Sequence, residues 1–402
     1  AEVRAHFDRH LSPAPLGALL ERIYSDTARR KRRLRVCLLV PGGMDPSGTH
    51  RVIPCVLALV ERLAASVDLH VLTLKQEAAE RSWEMLGARV HAVPRHSRTA
   101  PVRWLLGKHA ELGTDVLHAL WMHPQGTAAA AAGALLRRPV LLHVNGGDLA
   151  DLRDIAFGGR ATWTGRVRLR AARAGALRVT APSAAMVERA RELGFAAERL
   201  TLGVALDRWP ARAPQPRCIG APLRLLSVGT LNRVKDHATL LRAVAMLRAR
   251  GIALRLEVAG EDTLDGEVAR TAAALGIADM VHLHGFMPQD ALRAHMEAAD
   301  ALVVSSRHEA DPIAALEAAI AGLAVVGTRV GHLAEWAPGA ARVCAPGDAT
   351  ALAGVIAEIA QDDALRLRLA AAAQRHAVQW DADRAAARVL EIYREMARHG
   401  RH

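Results

Sequence analysis

Short apolar runs alternate with stretches of helical periodicity along most of the sequence, and this alternation constrains the fold more than any other feature. Such a pattern is typical of parallel sheets whose two faces are covered by helices. It occurs twice along the chain. We predict strands of the first series at residues 34–40, 67–74, 88–92, 116–119, 140–144 and 177–180, and of the second at 223–228, 254–259, 281–283, 301–304 and 324–326.

A proline-dense stretch separates the two series, with prolines at positions 210, 214, 216 and 222. Because prolines interrupt helices and strands, we interpret residues 203–222 as a linker. A length of 402 residues also fits two domains better than one core. The sequence predicts two doubly wound α/β domains, at residues 1–205 and 206–380, and an amphipathic helix at 381–398 that packs back against the first domain.

The formal net charge of +12 raises the question of a nucleic-acid partner. Surfaces that bind single-stranded nucleic acid combine basic residues with aromatic stacking platforms, and aromatic residues make up only 3% of this chain. We therefore predict no nucleic-acid partner. Basic residues concentrate at positions 29–33 and 160–173, where two interpretations stay open: a solvated face, or a surface for an anionic membrane or a phosphorylated acceptor.

The four cysteines are far apart and form no Cys-x-x-Cys pair. A zinc site or a disulfide framework is therefore not expected, and a reducing cytoplasm is the default location. No apolar run reaches the roughly 18 residues that span a bilayer, and the N-terminal residues lack the pattern of a secretory signal. We predict a cytoplasmic protein, with peripheral contact at the inner membrane face left open by the basic stretches.

The most informative segment lies between a predicted strand and a predicted helix and carries Glu309 and Glu317. Asp311 suits the N-cap of this helix, and the N–H groups of Ile313 and Ala314 at its start offer an anion site. If every step between the two carboxylates were helical, they would lie about 12 Å apart along the axis. That spacing suits the two ends of a sugar–diphosphate–ribose ligand, whereas the alternative is a capped surface helix with two incidental glutamates.

A second polar segment follows the first strand of the second series and includes Thr230, Asn232, Arg233 and Lys235. In a parallel sheet this loop emerges at the same edge as Glu309. Departure of a nucleoside diphosphate leaves negative charge on a phosphate oxygen, which cations fixed in a closed cleft stabilise. We therefore predict that Lys235 and Arg233 act on a diphosphate.

These motifs, in this order and over nearly the whole chain, resemble those of the family 4 glycosyltransferases. The family's E-x7-E signature matches Glu309 and Glu317. Further resemblances are the Val-Gly-Arg-Leu-x-x-x-Lys-Gly loop at residues 228–236, the Gly-x-Pro-Val-Val-Ala-Thr strand at 322–328, the Gly-Gly-x-x-Glu turn at 331–335, and the C-terminal Trp380 and Tyr393. A glycine loop at residues 42–48, which ends in Gly48, resembles the family's first-domain loop. By this resemblance it would close over the donor phosphates.

The resemblance implies a retaining glycosyltransferase of the GT-B fold, in which two Rossmann-like domains face each other across a cleft. It implies that Glu317 holds the ribose hydroxyls and that Glu309 contacts the donor sugar. Lys235 would bind the diphosphate, and the backbone at Gly285 and Phe286 would frame the base. The nucleotide sugar would be a co-substrate, so that no separate cofactor is expected, and no Asp-x-Asp motif indicates a metal.

Two positions depart from the family pattern. The family's diphosphate arginine falls at Thr230, and we predict that Arg233 replaces it. The family's first-domain histidine falls at Asn145, in a turn that also holds Asp148. These departures concern contacts to the phosphate and to the sugar.

Two nearby histidines are candidates for the sugar or acceptor side. His143 shares a strand face with Asn145 because the two are two residues apart. His123 follows a strand at the cleft, where it is either a packed or solvated histidine or an acceptor contact.

Transfer to a hydroxyl of a glycan, a lipid-linked molecule or a small molecule is the leading functional hypothesis. The alternatives are a GT-B nucleotide-sugar epimerase, a phosphorylase, or a non-catalytic sugar-nucleotide-binding protein. An epimerase would need acid and base carboxylates at the sugar, and a phosphorylase would need a second phosphate site. The departures at Thr230 and Asn145 keep the non-catalytic alternative open.

Overall fold

The computed structural model describes residues 33–97, 99–218 and 220–399. The basic residues at positions 29–32 lie outside this part of the chain, so that of the first basic stretch only Arg33 is described. The described residues form two α/β domains, each built on one sheet.

The N-terminal domain contains eight strands and five α-helices among the described residues. The strands are β1 (Arg35–Val40), β2 (Asp68–Thr73), β3 (Arg81–Met85), β4 (Ala88–Ala92), β5 (Val116–Leu120), β6 (Val140–His143), β7 (Arg178–Ala181) and β8 (Ala197–Arg199). The helices are α1 (Pro54–Ala64), α2 (Ala100–Leu112), α3 (Thr127–Leu136), α4 (Trp163–Gly175) and α5 (Ala184–Glu192). The sheet order is β3-β4-β2-β1-β5-β6-β7-β8, and the pair β3–β4 is antiparallel.

The C-terminal domain repeats this architecture. Its strands are β9 (Leu223–Val228), β10 (Leu254–Ala259), β11 (Val281–Gly285), β12 (Ala301–Val304), β13 (Ala324–Thr328) and β14 (Arg342–Cys344). Its helices are α6 (His237–Ala249), α7 (Glu267–Ala274), α8 (Gln289–Ala298), α9 (Ile313–Ile320), α10 (Gly331–Trp336), α11 (Ala349–Gln361) and α12 (Asp363–Ala377), and a last helix, α13 (Ala382–His399), follows. The sheet order is β11-β10-β9-β12-β13-β14, with all pairs parallel.

The predicted fold class of two doubly wound sheets is confirmed. In each sheet the strand order reverses next to the first strand of the domain, between β1 and β5 and between β9 and β12. Loops on either side of such a reversal diverge and leave a crevice at the carboxyl ends of the strands, which is where ligands of this fold class bind.

One helix starts later than the sequence indicates. The helical periodicity of residues 49–65 predicts a helix over that range, but α1 begins at Pro54. Proline lacks an N–H and is favoured at the first helical position, whereas Arg51 upstream adopts a φ of 51°, outside the helical region. The residues between them therefore form the loop that leads into the helix.

Helix α13 lies against the N-terminal domain and completes its core. Val389, Ile392 and Met396 belong to the same buried cluster as residues of β1 and β5. In this cluster the Tyr393 hydroxyl lies 2.7 Å from Nδ1 of His118, and both side chains are fully buried. Burial, helped by the charge of the neighbouring His143, lowers the pKa of His118 to about 3, so its ring is neutral.

The chain crosses between the domains at two adjacent segments. The Val204 N–H donates to the Trp380 carbonyl at 3.1 Å, and the Ala382 N–H donates to the Val204 carbonyl at 3.0 Å. Farther along the linker, the buried guanidinium of Arg366 donates to the Gln215 carbonyl at 2.7 Å and pairs with Asp363. The linker is therefore held against the C-terminal domain by hydrogen bonds.

We expect Tyr393→Phe to destabilise the N-terminal domain. The change keeps the packed ring but leaves His118 in the core without its hydroxyl partner, and a buried polar group without a partner costs about 1–3 kcal/mol. The measurement is the unfolding of the purified variant by heat and by urea. Transition midpoints identical to those of the unchanged protein would contradict this role for the hydrogen bond.

Candidate functional site

A cavity of about 420 Å³ opens at the strand-order reversal of the C-terminal sheet. The loops after β9 and β12 and the start of α9 line it from one side. From the N-terminal domain, Ile53 and Pro54 at the start of α1 reach into the lining. Of the residues that the sequence singled out, the structure brings together here Thr230, Lys235, Glu309, Asp311, Ile313 and Ala314.

The loop after β9 is shaped so that Lys235 turns back over it. The side-chain oxygen of Asn232 accepts hydrogen bonds from the N–H groups of Val234 at 3.2 Å and Lys235 at 3.1 Å. Gly229 adopts a φ of 143°, and a Cβ at this position would lie 2.8 Å from Cε of Lys235. A glycine is therefore required where the lysine side chain crosses the backbone.

Lys235 and Glu309 form an ion pair inside the cavity. Their Nζ and Oε1 atoms are 2.6 Å apart, and the side chains are 26% and 14% exposed. The Ser306 hydroxyl donates to the same carboxylate oxygen at 2.6 Å. Since each charge is largely withdrawn from water, removal of one partner would leave the other uncompensated.

Glu317 lies on α9, is 6% exposed, and lines a second, smaller cavity that shares Pro54 and Ile313 with the first. Burial raises the pKa of its carboxyl group to about 7, although a hydrogen bond from Gln289 at 3.3 Å acts in the opposite direction. The Trp209 indole N–H donates to the Glu317 carbonyl at 2.9 Å and packs the linker against this helix. The carboxyl group therefore titrates near neutral pH.

Asp311 differs from the N-cap that the sequence suggested. Helix α9 begins at Ile313 with Pro312 as its N-cap residue, and the Asp311 carboxylate turns instead to His332, whose Nε2 lies 2.5 Å from Oδ1. Both side chains are buried, and the His332 ring is 4.2 Å from the Trp380 ring. The other carboxylate oxygen of Asp311 has no hydrogen-bond partner among the described residues.

His332 is a residue of the site that the sequence analysis missed. The signal available was its position, since it stands where the family's Gly-Gly-x-x-Glu turn has its second glycine. At this position the structure has an imidazole on α10 that forms a hydrogen bond with the Asp311 carboxylate and orients it. Gln289 and Ser306, which contact the two signature glutamates, had no such signal.

The N–H groups at the start of α9 are only partly available to a ligand. The Ile313 N–H donates to the Asp311 carbonyl at 2.8 Å. Ala314 also lines the cavity, and a phosphate that approached this helix start would benefit from its dipole.

The structure does not bring Arg233 to the cavity, which corrects the expectation that it replaces the missing arginine. Its guanidinium forms a two-pronged ion pair with Glu267, with both N–O distances 2.7 Å. Arg233 and Asn232 line a separate surface depression beside α6 and α7. The physical reason is local: the Asn232 turn points Lys235 inward, and the carboxylate on α7 occupies both arms of the guanidinium.

The first-domain candidates lie across from the loop that carries Asp311. Asp148 is partly buried and accepts hydrogen bonds from the N–H groups of Met122 at 2.8 Å and Asn145 at 3.0 Å, while withdrawal of its carboxylate from water raises its pKa to about 7. His143 is buried with Nδ1 2.9 Å from the Thr180 hydroxyl. Asp148 therefore holds the turn in shape rather than facing the cavity.

His143 is the candidate of this group with an open polar atom. Burial lowers its pKa to about 4, and the nearby Asp311 carboxylate acts in the opposite direction. Its Nε2 atom has no hydrogen-bond partner in the described part of the chain. His143 and Asp311 thus each present an unsatisfied polar atom from opposite domains.

Three further candidates lie outside the cavity. His123 is exposed, with Nδ1 3.1 Å from the Thr127 hydroxyl. Gly48 closes a turn through a 3.0 Å hydrogen bond to the Asp45 carbonyl and does not line the cavity. Phe286, which follows Gly285 in the C-terminal domain, is half exposed. Its ring lies 5.5 Å from that of His50, which belongs to the same first-domain loop as Gly48.

The two domains touch around the cavity. Nε2 of His308 lies 2.9 Å from the Gly146 carbonyl oxygen, and Glu335 accepts a hydrogen bond from the Ala184 N–H at 2.8 Å. The other oxygen of Glu335 pairs with Arg199 at 2.8 Å. The cleft is therefore closed, with residues of both domains around one space. Among the described helices, none is long and apolar enough to cross a membrane.

Two family models match the chain in succession. A model described as "Glycosyl transferase 4-like domain" matches residues 52–205, and one described as "Glycosyl transferases group 1" matches residues 216–376. The chain is 28% identical to glycogen synthase of Mycobacterium tuberculosis over 363 residues, which cover 88% of this chain and 84% of that protein.

Solved structures show the same arrangement of domains. Sucrose-phosphate synthase from Thermosynechococcus elongatus superposes with a TM-score of 0.75 at 19% identity, covering 90% of this chain and 99% of that one. Anabaena HepE in complex with UDP-glucose has a TM-score of 0.70 at 17% identity, covering 89% and 99%. The predicted GT-B fold is confirmed, and the chain belongs to the group 1, family 4-like glycosyltransferases, which transfer a sugar from a nucleotide-sugar donor.

Proposed function

We propose that this glycosyltransferase uses a uridine diphosphate sugar and transfers the sugar to an acceptor hydroxyl with retention of anomeric configuration. The observation that carries the proposal is the Lys235–Glu309 ion pair in the cavity at the strand-order reversal, with Glu317 beside it. The structural neighbour HepE was solved with UDP-glucose, which supports uridine as the base. The matched families are named for glycosyl transfer, which favours this function over an epimerase, a phosphorylase or a non-catalytic binding protein.

In this proposal the donor exchanges partners with the ion pair. Glu317 accepts hydrogen bonds from the ribose hydroxyls. The Lys235 ammonium moves from Glu309 to the diphosphate, and Glu309 is then free to accept hydrogen bonds from hydroxyls of the donor sugar. A charge-assisted contact to phosphate replaces the internal pair, so that the lysine is never left buried without a counter-charge.

Retention follows when the acceptor attacks from the face that the diphosphate leaves. Of the two carboxylates that line the cavity, Asp311 is hydrogen-bonded to His332, and Glu309 accepts hydrogen bonds from the donor sugar once Lys235 has moved to the diphosphate. We assign neither of them as a nucleophile. The bond from the anomeric carbon to the phosphate oxygen breaks, the bond to the acceptor oxygen forms, and the acceptor proton passes to the departing phosphate oxygen. Lys235 stabilises the charge that develops on that phosphate.

We expect the affinity for UDP to depend on the ionisation of Glu317. Burial raises the pKa of this carboxyl group to about 7, whereas ribose hydroxyls donate to the ionised form, so binding releases a proton below that pH. Affinity should fall about tenfold per pH unit below pH 7 and level off above it. Calorimetric titrations with UDP between pH 5.5 and 8 measure this slope.

The Glu317→Gln variant is the matched control, because it keeps the size of the side chain and cannot ionise. It should lose the pH slope, and Glu317→Ala should weaken UDP binding by about 1.5–3 kcal/mol, as expected for a hydrogen bond to a charged group. Unchanged affinity in both variants, or the same slope in the glutamine variant, would exclude Glu317 from the nucleotide site.

We expect the two cations of the β9–α6 loop to differ sharply in importance. Lys235→Ala should lower turnover by about two to three orders of magnitude, as loss of one charge-stabilising donor does. Arg233→Ala removes an exposed ion pair with Glu267 and should change turnover only a few-fold. Donor hydrolysis and transfer assays on both variants make the comparison. A larger loss for Arg233→Ala than for Lys235→Ala would contradict this assignment.

We also propose that the exposed face of α4 binds an anionic membrane, where a cytoplasmic enzyme would meet a lipid-linked acceptor. Trp163 is 69% exposed and Val167 lies one turn further along the same face. Arg166, Arg170 and Arg173 are exposed beside this apolar stripe. An exposed tryptophan flanked by arginines is typical of a helix that lies in the interface of an anionic bilayer.

Binding to vesicles tests this surface directly. We expect salt-sensitive binding to vesicles that contain anionic lipid and little binding to neutral ones, because exposed charges are screened beyond about 8 Å at physiological salt. Replacing Arg166 and Arg170 by glutamate should abolish binding, while UDP affinity should stay unchanged. Equal binding to both kinds of vesicle, or binding that survives the substitutions, would leave these arginines as a solvated face.

A further inference from the structure

A cluster of potential metal ligands lies on the C-terminal sheet, outside the cavity. Glu257 is on β10, His284 on the neighbouring β11 and His295 on α8, which packs nearby. Their ligand atoms all lie within 4.8 Å of one another, and in the described part of the chain this is the one group of three or more His, Cys, Asp or Glu side chains that meets this distance. All three side chains are partly exposed.

The distances in the cluster suit a small divalent ion. One Glu257 oxygen lies 2.7 Å from Nδ1 of His295 and 3.4 Å from Nε2 of His284. Ligands at about 2.0–2.1 Å from a tetrahedral zinc ion are about 3.3 Å from each other. The second distance already has this value, and the first requires the His295 hydrogen bond to open by a fraction of an ångström.

The chemistry of the ligands selects the class of ion. Two imidazoles and one carboxylate favour Zn²⁺ and similar transition metals over Mg²⁺, which prefers oxygen ligands. The two imidazoles coordinate in their neutral form and the carboxylate as an anion. Because all three side chains are partly exposed, solvent can supply a fourth ligand.

We propose that Glu257, His284 and His295 form a binding site for one transition-metal ion of the Zn²⁺ class. The site ties the edge strand β11 to α8. His284 directly precedes Gly285 and Phe286, and α8 begins with Gln289, which contacts Glu317. A bound ion thus steadies both segments that flank the nucleotide, a consequence that rests on the proposed function, whereas metal binding itself does not.

Calorimetric titration of tag-free, chelator-treated protein with zinc chloride tests the site. We expect saturation at one ion per chain, and no comparable binding of magnesium chloride. His284→Ala and His295→Ala should each weaken binding by about 100-fold or more, since even outer partners of metal ligands contribute 10- to 100-fold. His96→Ala, which removes an exposed histidine of the N-terminal domain, is the matched control and should bind as the unchanged protein does.

Melting temperatures separate loss of the site from loss of the fold. The metal-free variants should melt with the metal-free unchanged protein, and zinc should raise the melting temperature of the unchanged protein but not that of the two variants. Absence of saturable zinc binding, or binding that survives both substitutions, would overturn the proposal. Because these measurements need no nucleotide, their failure is distinct from failure of the proposed function, which titration of the metal-free protein with UDP tests.

Discussion

A parallel sheet has to cover both of its faces with helices, and this requirement organises the whole molecule. Apolar side chains occupy most of both sheets, so the polar side chains of the proposed nucleotide site gather in the loops at the carboxyl ends of the strands. The strand-order reversal in the C-terminal sheet keeps the loops after β9 and β12 apart and leaves room between them. The N-terminal domain closes that space with the start of α1, and a single cavity results from two sheets that share no strand.

The charged side chains around the cavity pair with one another. Lys235 is paired with Glu309, Asp311 is hydrogen-bonded to His332, and burial favours the neutral form of Glu317. In a space with little water, each of these groups would be costly if it were left alone. A negatively charged ligand therefore binds only if its interactions with these side chains are more favourable than the interactions that the side chains make with one another.

The sequence was most informative where one physical signal dominates. Buried parallel strands are continuous apolar runs, so the longer strands of both domains were predictable. The edge strands β3, β8 and β14 were not predicted: β3 is mostly exposed and antiparallel, and β8 and β14 are only three residues long. Glu309 and Lys235 could be assigned to one sheet edge from topology alone. The direction of Arg233 could not, since two side chains in one loop diverge according to a turn set by Asn232. Nor could the contact of Asp311 with His332, which depends on how α10 packs.

The return of α13 to the N-terminal domain has a consequence for how the protein is made. Part of the core beneath β1 and β5 consists of side chains from α13, such as Val389 and Ile392, which are synthesised after the entire second sheet. Domains fold as units while the chain emerges from the ribosome. The C-terminal domain has all of its strands in one continuous stretch of chain. In the N-terminal domain, by contrast, an apolar surface stays exposed until α13 has been synthesised. The two cores are therefore completed in the reverse of the order in which their sheets are synthesised.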